Sequence, residues 1–89
     1  MKFEKDTSGI ERHIAFDIHK GYALVGGQDT RQEWVVHPRW IGMVKFCEWA
    51  AANLRLGDEV VFETRTNVWD IYAIVAPLVS YVVAAHAGG

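Results

Sequence analysis

Two acidic residues, Asp17 and Glu63, lie in surroundings where a carboxylate is unusual. Asp17 stands between Phe16 and Ile18 in a short apolar run, and Glu63 directly follows the apolar run 60–62. Charged side chains seldom lie among strand-forming residues without a partner, because burying an unpaired charge is costly. Two carboxylates that come close repel each other, so that one takes up a proton or a cation binds between them. Oxygen ligands of this kind suit Mg²⁺ or Mn²⁺.

Each of the two acids also has an ordinary structural explanation. Asp17 could be held by backbone N–H groups or by Lys20, and Glu63 could pair with Arg65 or cap a following helix. Taken singly, Glu63 fits the structural explanation better than a functional one, whereas for Asp17 the two explanations are evenly balanced. Together they favour a function, because ligands in open α/β sheets bind beyond the carboxyl ends of the strands. If the two strands are parallel neighbours, both acids meet at one edge of the sheet.

The elements that must position these acids form a three-stranded meander followed by alternating helices and strands. Short runs of strand-forming residues and runs with helical periodicity indicate seven elements. Strands are predicted at 13–18, 22–26, 32–37, 58–63 and 80–85, and helices at 39–54 and about 68–76. The order β-β-β-α-β-α-β predicts an α/β fold with a mixed sheet and helices on its faces.

Glycine, proline and apolar spacing predict the element boundaries. Lys20-Gly21 is typical of a tight turn, Gly26-Gly27 is interpreted as part of the next turn, and Pro38 suits the first position of a helix. His19 is interpreted as a solvated turn residue. The first helix is predicted to bury an apolar stripe, with Cys47 inert in the core and Phe46 and Trp49 off the stripe. The stripe comprises Trp40, Met43, Val44, Cys47, Ala50, Ala51 and Leu54.

Composition limits the classes of protein to which the chain can belong. Its 89 residues predict one domain at 13–89, preceded by a flexible polar arm at 1–12. A single cysteine fits a reducing compartment, so we expect a cytoplasmic protein. No apolar run approaches the length of about 20 residues that crosses a bilayer, so no membrane partner is expected. The net charge of −2 means that any contact with nucleic acid is local or comes from elsewhere in a larger protein.

Three motifs in this order resemble those of a known family. The run 15–20, with Asp17 at its centre, looks like the opening of the DEDD transposases of the insertion-sequence one-ten family. The run 60–69, with Glu63, looks like that family's second acidic motif, and 81–85 is similar to its following strand. The resemblance begins at about His13 and extends over nearly all of the remaining chain. Each motif is short, and it is their order and spacing that make the resemblance specific.

The resemblance implies a RuvC-like, ribonuclease-H-type fold that cuts and joins DNA with Mg²⁺ or Mn²⁺. Asp17 and Glu63 would be the first two of four catalytic, metal-binding acids. The family's third and fourth acids form an Asp-x-x-Asp pair on a later helix, and no such pair follows the last predicted strand here. Asp58 and Asp70 do not take that place. We therefore expect an incomplete domain that binds metal weakly and has little or no cleavage activity.

The resemblance also suggests partners, and other interpretations stay open. DNA is the expected substrate, and some family members use a structured guide RNA. Trp40, Phe46 and Trp49, together with apolar surface that an incomplete domain would expose, favour a homo-oligomer. One alternative is a Holliday-junction-resolvase-like nuclease, which shares the first acid and the fold. Another is a non-catalytic relic that only dimerises. Similarity of fold cannot choose among these three.

Overall fold

One mixed sheet with two helices forms the part of the chain that the computed structural model describes, residues 9–64 and 69–86. The strands are β1 (Arg12–His19), β2 (Tyr22–Asp29), β3 (Trp34–Gly42), β4 (Asp58–Thr64) and β5 (Tyr81–His86). The helices are α1 (Met43–Asn53) and α2 (Trp69–Val75), followed by a 3₁₀ turn at Ala76–Leu78. The predicted α/β class, mixed sheet and order of elements are confirmed.

The sheet has the order β3-β2-β1-β4-β5, which places β1 at its centre. The first three strands form an antiparallel meander, and β4 runs parallel to both β1 and β5. At the tight turn between β1 and β2, Gly21 has a φ of 89°, a left-handed conformation that glycine adopts at little steric cost. The predicted Lys20-Gly21 turn is therefore confirmed. Of the predicted N-terminal arm, residues 1–8 lie outside the described residues, whereas Ile10 is buried and Arg12 begins β1.

Strict alternation along β1 divides the sheet into two unlike faces. Ile14, Phe16 and Ile18 are buried, whereas Ala15 and His19 are exposed and Asp17 is partly exposed. Both helices contribute to the same apolar core as the buried strand residues, so we call this side the helix-covered face. No described element covers the opposite side, which we call the open face. The run 60–62 predicted a strand covered on both faces, but its middle residue, Val61, lies on the open face.

Aromatic rings fill the centre of the helix-covered face. Phe16 stacks on Phe62 with ring centroids 5.6 Å apart, and its edge meets Phe46 at 5.2 Å and Trp49 at 6.0 Å. Phe16, Phe46 and Phe62 are each at most 1% exposed. These contacts fix α1 on the sheet across β1 and β4, the two strands that carry the candidate acids.

The predicted start of the first helix is wrong, and its predicted buried face is only partly confirmed. Pro38 lies inside β3, and α1 begins only at Met43. β3 is an edge strand, and proline is tolerated on such strands at positions where the N–H would face solvent. Trp40 therefore belongs to β3 and is 59% exposed, Val44 is 94% exposed, and Cys47 is exposed rather than in the core. Of the predicted stripe, Ala50 and Leu54 are buried and Met43 is partly buried. Phe46, which was predicted to lie off the stripe, is fully buried, with Trp49 partly buried beside it.

The spacing of apolar residues did not identify the buried face of α1, because apolar residues lie on most sides of this helix. With few polar positions to mark a solvent side, several stripes of similar hydrophobicity coexist on this helix. The stripe that is buried is the one that places Phe46 against Phe16. Shape complementarity with the sheet thus selects the face, and this information is absent from the helix's own periodicity.

Gly26 and Gly27 were interpreted as turn residues, but both lie inside β2. The turn comes after them, where the Asp29 carboxylate accepts hydrogen bonds from the backbone N–H groups of Arg31 and Glu33, at 2.8 and 3.1 Å. A Cβ on Gly27 would overlap Ile14 Cδ1 and lie 3.2 Å from the His13 carbonyl oxygen. Gly27 is therefore required for close packing of β2 on β1.

The two adjacent glycines provide a matched pair of substitutions. Gly27→Ala is expected to destabilise the protein by about 1–3 kcal/mol, because the Ile14 side chain and the β1 backbone must move away from the added methyl group. At Gly26 a Cβ would meet Trp34 and Pro38 at ordinary contact distances of 3.6 and 3.7 Å. Gly26→Ala is therefore expected to be neutral or to stabilise by up to about 1 kcal/mol. Urea denaturation of the two variants measures the difference, and equal midpoints would contradict the packing argument.

In residues 9–64 and 69–86, no helix is both long and apolar enough to cross a membrane.

Candidate functional site

Asp17 and Glu63 are direct neighbours across the parallel pair β1–β4. Neighbouring strands lie about 4.8 Å apart, and residues opposite each other project to the same side of a sheet. Asp17 alternates with the buried Phe16 and Ile18, and Glu63 follows the buried Phe62, so both carboxylates project from the open face. Each is within two residues of its strand's carboxyl end. The geometry expected from the sequence, two acids meeting at one edge, is present.

Solvent reaches both carboxylates. The Asp17 side chain is 50% exposed, and Glu63 is exposed. A cation could approach them without displacing any part of the described chain. The cost of holding two like charges side by side is correspondingly moderated by water.

His19 contacts Asp17 and forms part of the site's surroundings. Its Nε2 lies 3.1 Å from Asp17 Oδ2, a hydrogen-bond distance when Nε2 carries a proton. The two residues are two apart on β1, so both project from the open face. His19 is the last residue of β1, and its ring stacks on Tyr22 at 5.0 Å. It is solvent-exposed, as expected, but it is the last residue of the strand and does not lie in the turn.

A concavity of about 650 Å³ lies on the open face beside the two acids. Asp17 and Glu63 line one part of it, and small or apolar residues form much of the rest, including Ala15, Leu24 and Val61. The Trp34 ring lies close over Gly26 and belongs to the wall. The candidate site is therefore not a flat surface, because the carboxylates border a hollow large enough for a small ligand or for side chains of another segment.

A second in-register pair lies at the other end of the open face. His13 Nδ1 is 3.1 Å from Glu59 Oε1, and the two residues are direct partners across β1 and β4. Between this pair and the pair Asp17–Glu63 lie Ala15 and Val61. The open face thus carries two polar pairs separated by one apolar pair, and only the pair near the carboxyl ends consists of two acids.

An ion pair that the sequence analysis did not identify fixes the opposite end of these strands. Arg12 Nε and Nη2 donate to the two oxygens of Asp58 at 2.6 and 2.7 Å, and Nη2 also donates to the Asn53 carbonyl oxygen at 2.7 Å. Asp58 is fully buried and also accepts a hydrogen bond from the Arg55 N–H at 2.8 Å. The hydrogen bond to Asp58 raises the pKa of Arg12, against the opposing effect of burial.

This ion pair is structural and is not part of the candidate site. Arg12 and Asp58 are direct partners at the first positions of β1 and β4 and project into the helix-covered face. Five residues later the same register aligns Asp17 with Glu63. The only sequence signal was the alternation of Arg12 with Ile14 and Phe16, which was obscured when Arg12 was assigned to the N-terminal arm.

The two carboxylates are the type of ligand that a hard divalent cation prefers, but two ligands are too few to complete its coordination. Two carboxylates near one sheet edge are oxygen ligands of the kind that Mg²⁺ and Mn²⁺ accept. Among the described residues, no three His, Cys, Asp or Glu side chains gather into a group that could hold a metal. Asp17 and Glu63 would therefore be two ligands among several, with water or another segment supplying the rest.

Comparisons with models of known protein families, with curated proteins and with solved structures found no match.

Proposed function

We propose that this chain is the first part of a ribonuclease-H-like, RuvC-type catalytic domain of a DNA transposase. In this proposal Asp17 and Glu63 contribute two ligands of a divalent-metal site that acts on DNA. The observation that carries the proposal is the direct pairing of the two acids near the carboxyl ends of parallel strands, on one face. This is where α/β sheets bind their ligands.

The arrangement of the sheet also supports the proposal. The first acid lies on the central strand β1, and the second lies on its parallel neighbour β4. An antiparallel meander on one side of β1 and a parallel pair on the other are compatible with a ribonuclease-H-like fold. The motif resemblance favours a transposase over the other nucleases that share this type of fold.

The residues of this chain would act by position and charge. Asp17 and Glu63 would hold Mg²⁺ or Mn²⁺, which supplies Lewis-acid stabilisation of a transferring phosphoryl group. His19, by donating from Nε2 to Asp17 Oδ2, would fix the orientation of that carboxylate, as partners of metal ligands commonly do. The exposed position of both acids would allow a DNA backbone to approach. With only two carboxylates, we expect weak metal binding and little cleavage by these 89 residues alone.

Metal binding tests the proposal directly. Asp17→Asn and Glu63→Gln are each expected to lower the affinity for Mn²⁺ by about tenfold or more, since even indirect partners of a metal contribute that much. Isothermal titration calorimetry or the electron paramagnetic resonance signal of free Mn²⁺ measures the affinity. The neutral amides keep the shape of the side chains, so that the loss reports charge and ligation rather than packing.

Glu59→Gln is the matched control, because Glu59 lies on the same strand and the same face as Glu63 but pairs with His13. It is expected to leave the Mn²⁺ affinity unchanged. Unchanged affinity in both Asp17→Asn and Glu63→Gln, or an equal loss in Glu59→Gln, would refute the proposed site.

A further inference from the structure

Three aromatic rings form a cluster beside the candidate site. His19 and Tyr22 stack with centroids 5.0 Å apart and planes 18° apart, and Trp40 meets Tyr22 edge to face at 4.9 Å. The His19 and Trp40 centroids are 6.1 Å apart. We call these three residues the aromatic cluster. The rings hold one another in place, so the cluster is an ordered surface and not a set of independent side chains.

The cluster is solvent-exposed although it contains large rings. Trp40 is 59% exposed and Tyr22 is 41% exposed. Cross-strand pairing explains their direction, because His19 is opposite Tyr22, and Trp40 is opposite Leu24, the partner of Asp17. All three rings therefore belong to the open face, as do the two acids. His19 joins the cluster to the site through its contact with Asp17.

One cation lies in the turn that joins two of the rings, because Lys20 stands between His19 and Tyr22. Arg39 is opposite Val25, a buried residue of the helix-covered face, and Lys45 belongs to α1, so neither lies with the rings on the open face. The turn and the start of α1 are held together by a hydrogen bond of 2.9 Å from Met43 N to the Gly21 carbonyl oxygen. A cationic side chain beside exposed rings favours an anionic partner with flat groups, and single-stranded nucleic acid has both features.

From this geometry we propose that the aromatic cluster is a stacking platform for unpaired bases of single-stranded DNA adjoining the Asp17–Glu63 site. The inference rests on the proposed function for the choice of DNA, and on the rings and Lys20 for the mode of binding. Bases would stack on the exposed Trp40 and Tyr22 rings, and Lys20 would neutralise a phosphate. A strand held in this way would continue toward the carboxylates, because His19 contacts both the rings and Asp17.

The test measures the affinity for a fluorescein-labelled oligothymidylate of roughly ten nucleotides, which is long enough for one stacking site. Fluorescence anisotropy reports the binding, in a low-salt buffer that contains EDTA. Without divalent metal, only stacking and backbone neutralisation contribute. Trp40→Leu is expected to weaken binding about 5- to 150-fold, the effect of removing one stacked base. Trp40→Phe is expected to recover most of the affinity. Unchanged binding by Trp40→Leu, or no binding by the unaltered protein, would overturn the proposal.

Tyr72→Leu is the matched control, since Tyr72 is a 40% exposed aromatic residue of α2, away from the open face. It is expected to bind as the unaltered protein does, and an equal loss would show that the loss of any exposed aromatic ring weakens binding. Thermal unfolding of Trp40→Leu should stay near the original midpoint, because its ring is mostly in water. Binding of oligouridylate as tight as that of oligothymidylate would overturn the choice of DNA. Conversion of a dimer into a monomer by Trp40→Leu, without a change in DNA affinity, would reassign the cluster to self-association.

Failure of this inference and failure of the proposed metal site are distinguishable. In EDTA, Asp17→Asn and Glu63→Gln are expected to bind the oligonucleotide at least as well as the unaltered protein, since each removes a negative charge beside the strand. Weaker DNA binding by these variants would contradict the geometry proposed for the cluster. Loss of Mn²⁺ affinity with intact DNA affinity would support both proposals separately.

Discussion

Asp58→Asn is expected to lower the free energy of unfolding by about 3–5 kcal/mol, because it leaves the buried Arg12 guanidinium without its counterion. A domain of this length has a total stability of roughly 5–13 kcal/mol, so the loss is a large fraction of it. The amide can still accept from Arg12 and from the Arg55 N–H, but it cannot match the charge of a carboxylate that is fully buried. Urea denaturation followed by circular dichroism measures the change.

The exposed pair His13–Glu59 provides the comparison, because it joins the same two strands one position further on. Glu59→Gln is expected to cost at most about 1 kcal/mol, since the His13 side chain is 54% exposed and water screens the pair. A cost for Asp58→Asn as small as that for Glu59→Gln would show that the Arg12–Asp58 pair does not hold the strands together.

Replacing both partners separates two effects on the free energy of unfolding: the cost of leaving one buried charge unpaired, and the contribution of the ion pair itself. A double variant, Arg12→Met with Asp58→Leu, is expected to be more stable than Asp58→Asn, because no unpaired charge is left in the core. The raised pKa of Arg12 adds no pH dependence near neutrality. Its contribution to stability is fully present below the ordinary pKa of arginine and is lost only as the pH rises through the higher folded value.

The sequence predicted the strands around the acids well, because burial there is strong and local. In β1 and β4, apolar residues occupy the face that packs on the helices, and the acids interrupt this pattern visibly. The order of elements allowed a parallel pairing of these strands without requiring it, and the structure shows that pairing. The same reasoning could not locate the end of β3, since Pro38 ends a central strand but is tolerated on an edge strand. Whether a strand lies at an edge is a property of the whole sheet.

Contacts between residues that are distant in sequence could not be predicted either. Arg12 and Asp58 are 46 positions apart, and neither has a local feature that predicts burial with an ion-pair partner. The aromatic cluster was missed for the same reason, because Trp40 was assigned to a helix and His19 to a turn. Only the pairing of β1, β2 and β3 brings these rings together. Local pattern thus indicated the two candidate acids, and strand register decides which residues surround them.

Phe16→Ala is expected to destabilise the protein by about 3–5 kcal/mol, the usual cost of removing a buried phenylalanine. Phe16 is 1% exposed and contacts the rings of Phe46, Trp49 and Phe62, so no flexible group is free to fill the cavity. Phe16→Leu keeps much of the apolar volume and is expected to cost clearly less. A loss below about 1 kcal/mol for Phe16→Ala would mean that the core collapses around the gap.

The same substitution links the core to the candidate site. Phe16 and Phe62 are opposite each other and stacked, and the next pair in register is Asp17 and Glu63. Their stacking therefore holds the register that aligns the two carboxylates, with a coupling of about 0.5–1.5 kcal/mol expected from a double-mutant cycle. In conditions where Phe16→Ala is still folded, its Mn²⁺ affinity should fall although both acids are present. An unchanged affinity would show that the backbone pairing of β1 and β4 suffices to align the acids without the rings beneath them.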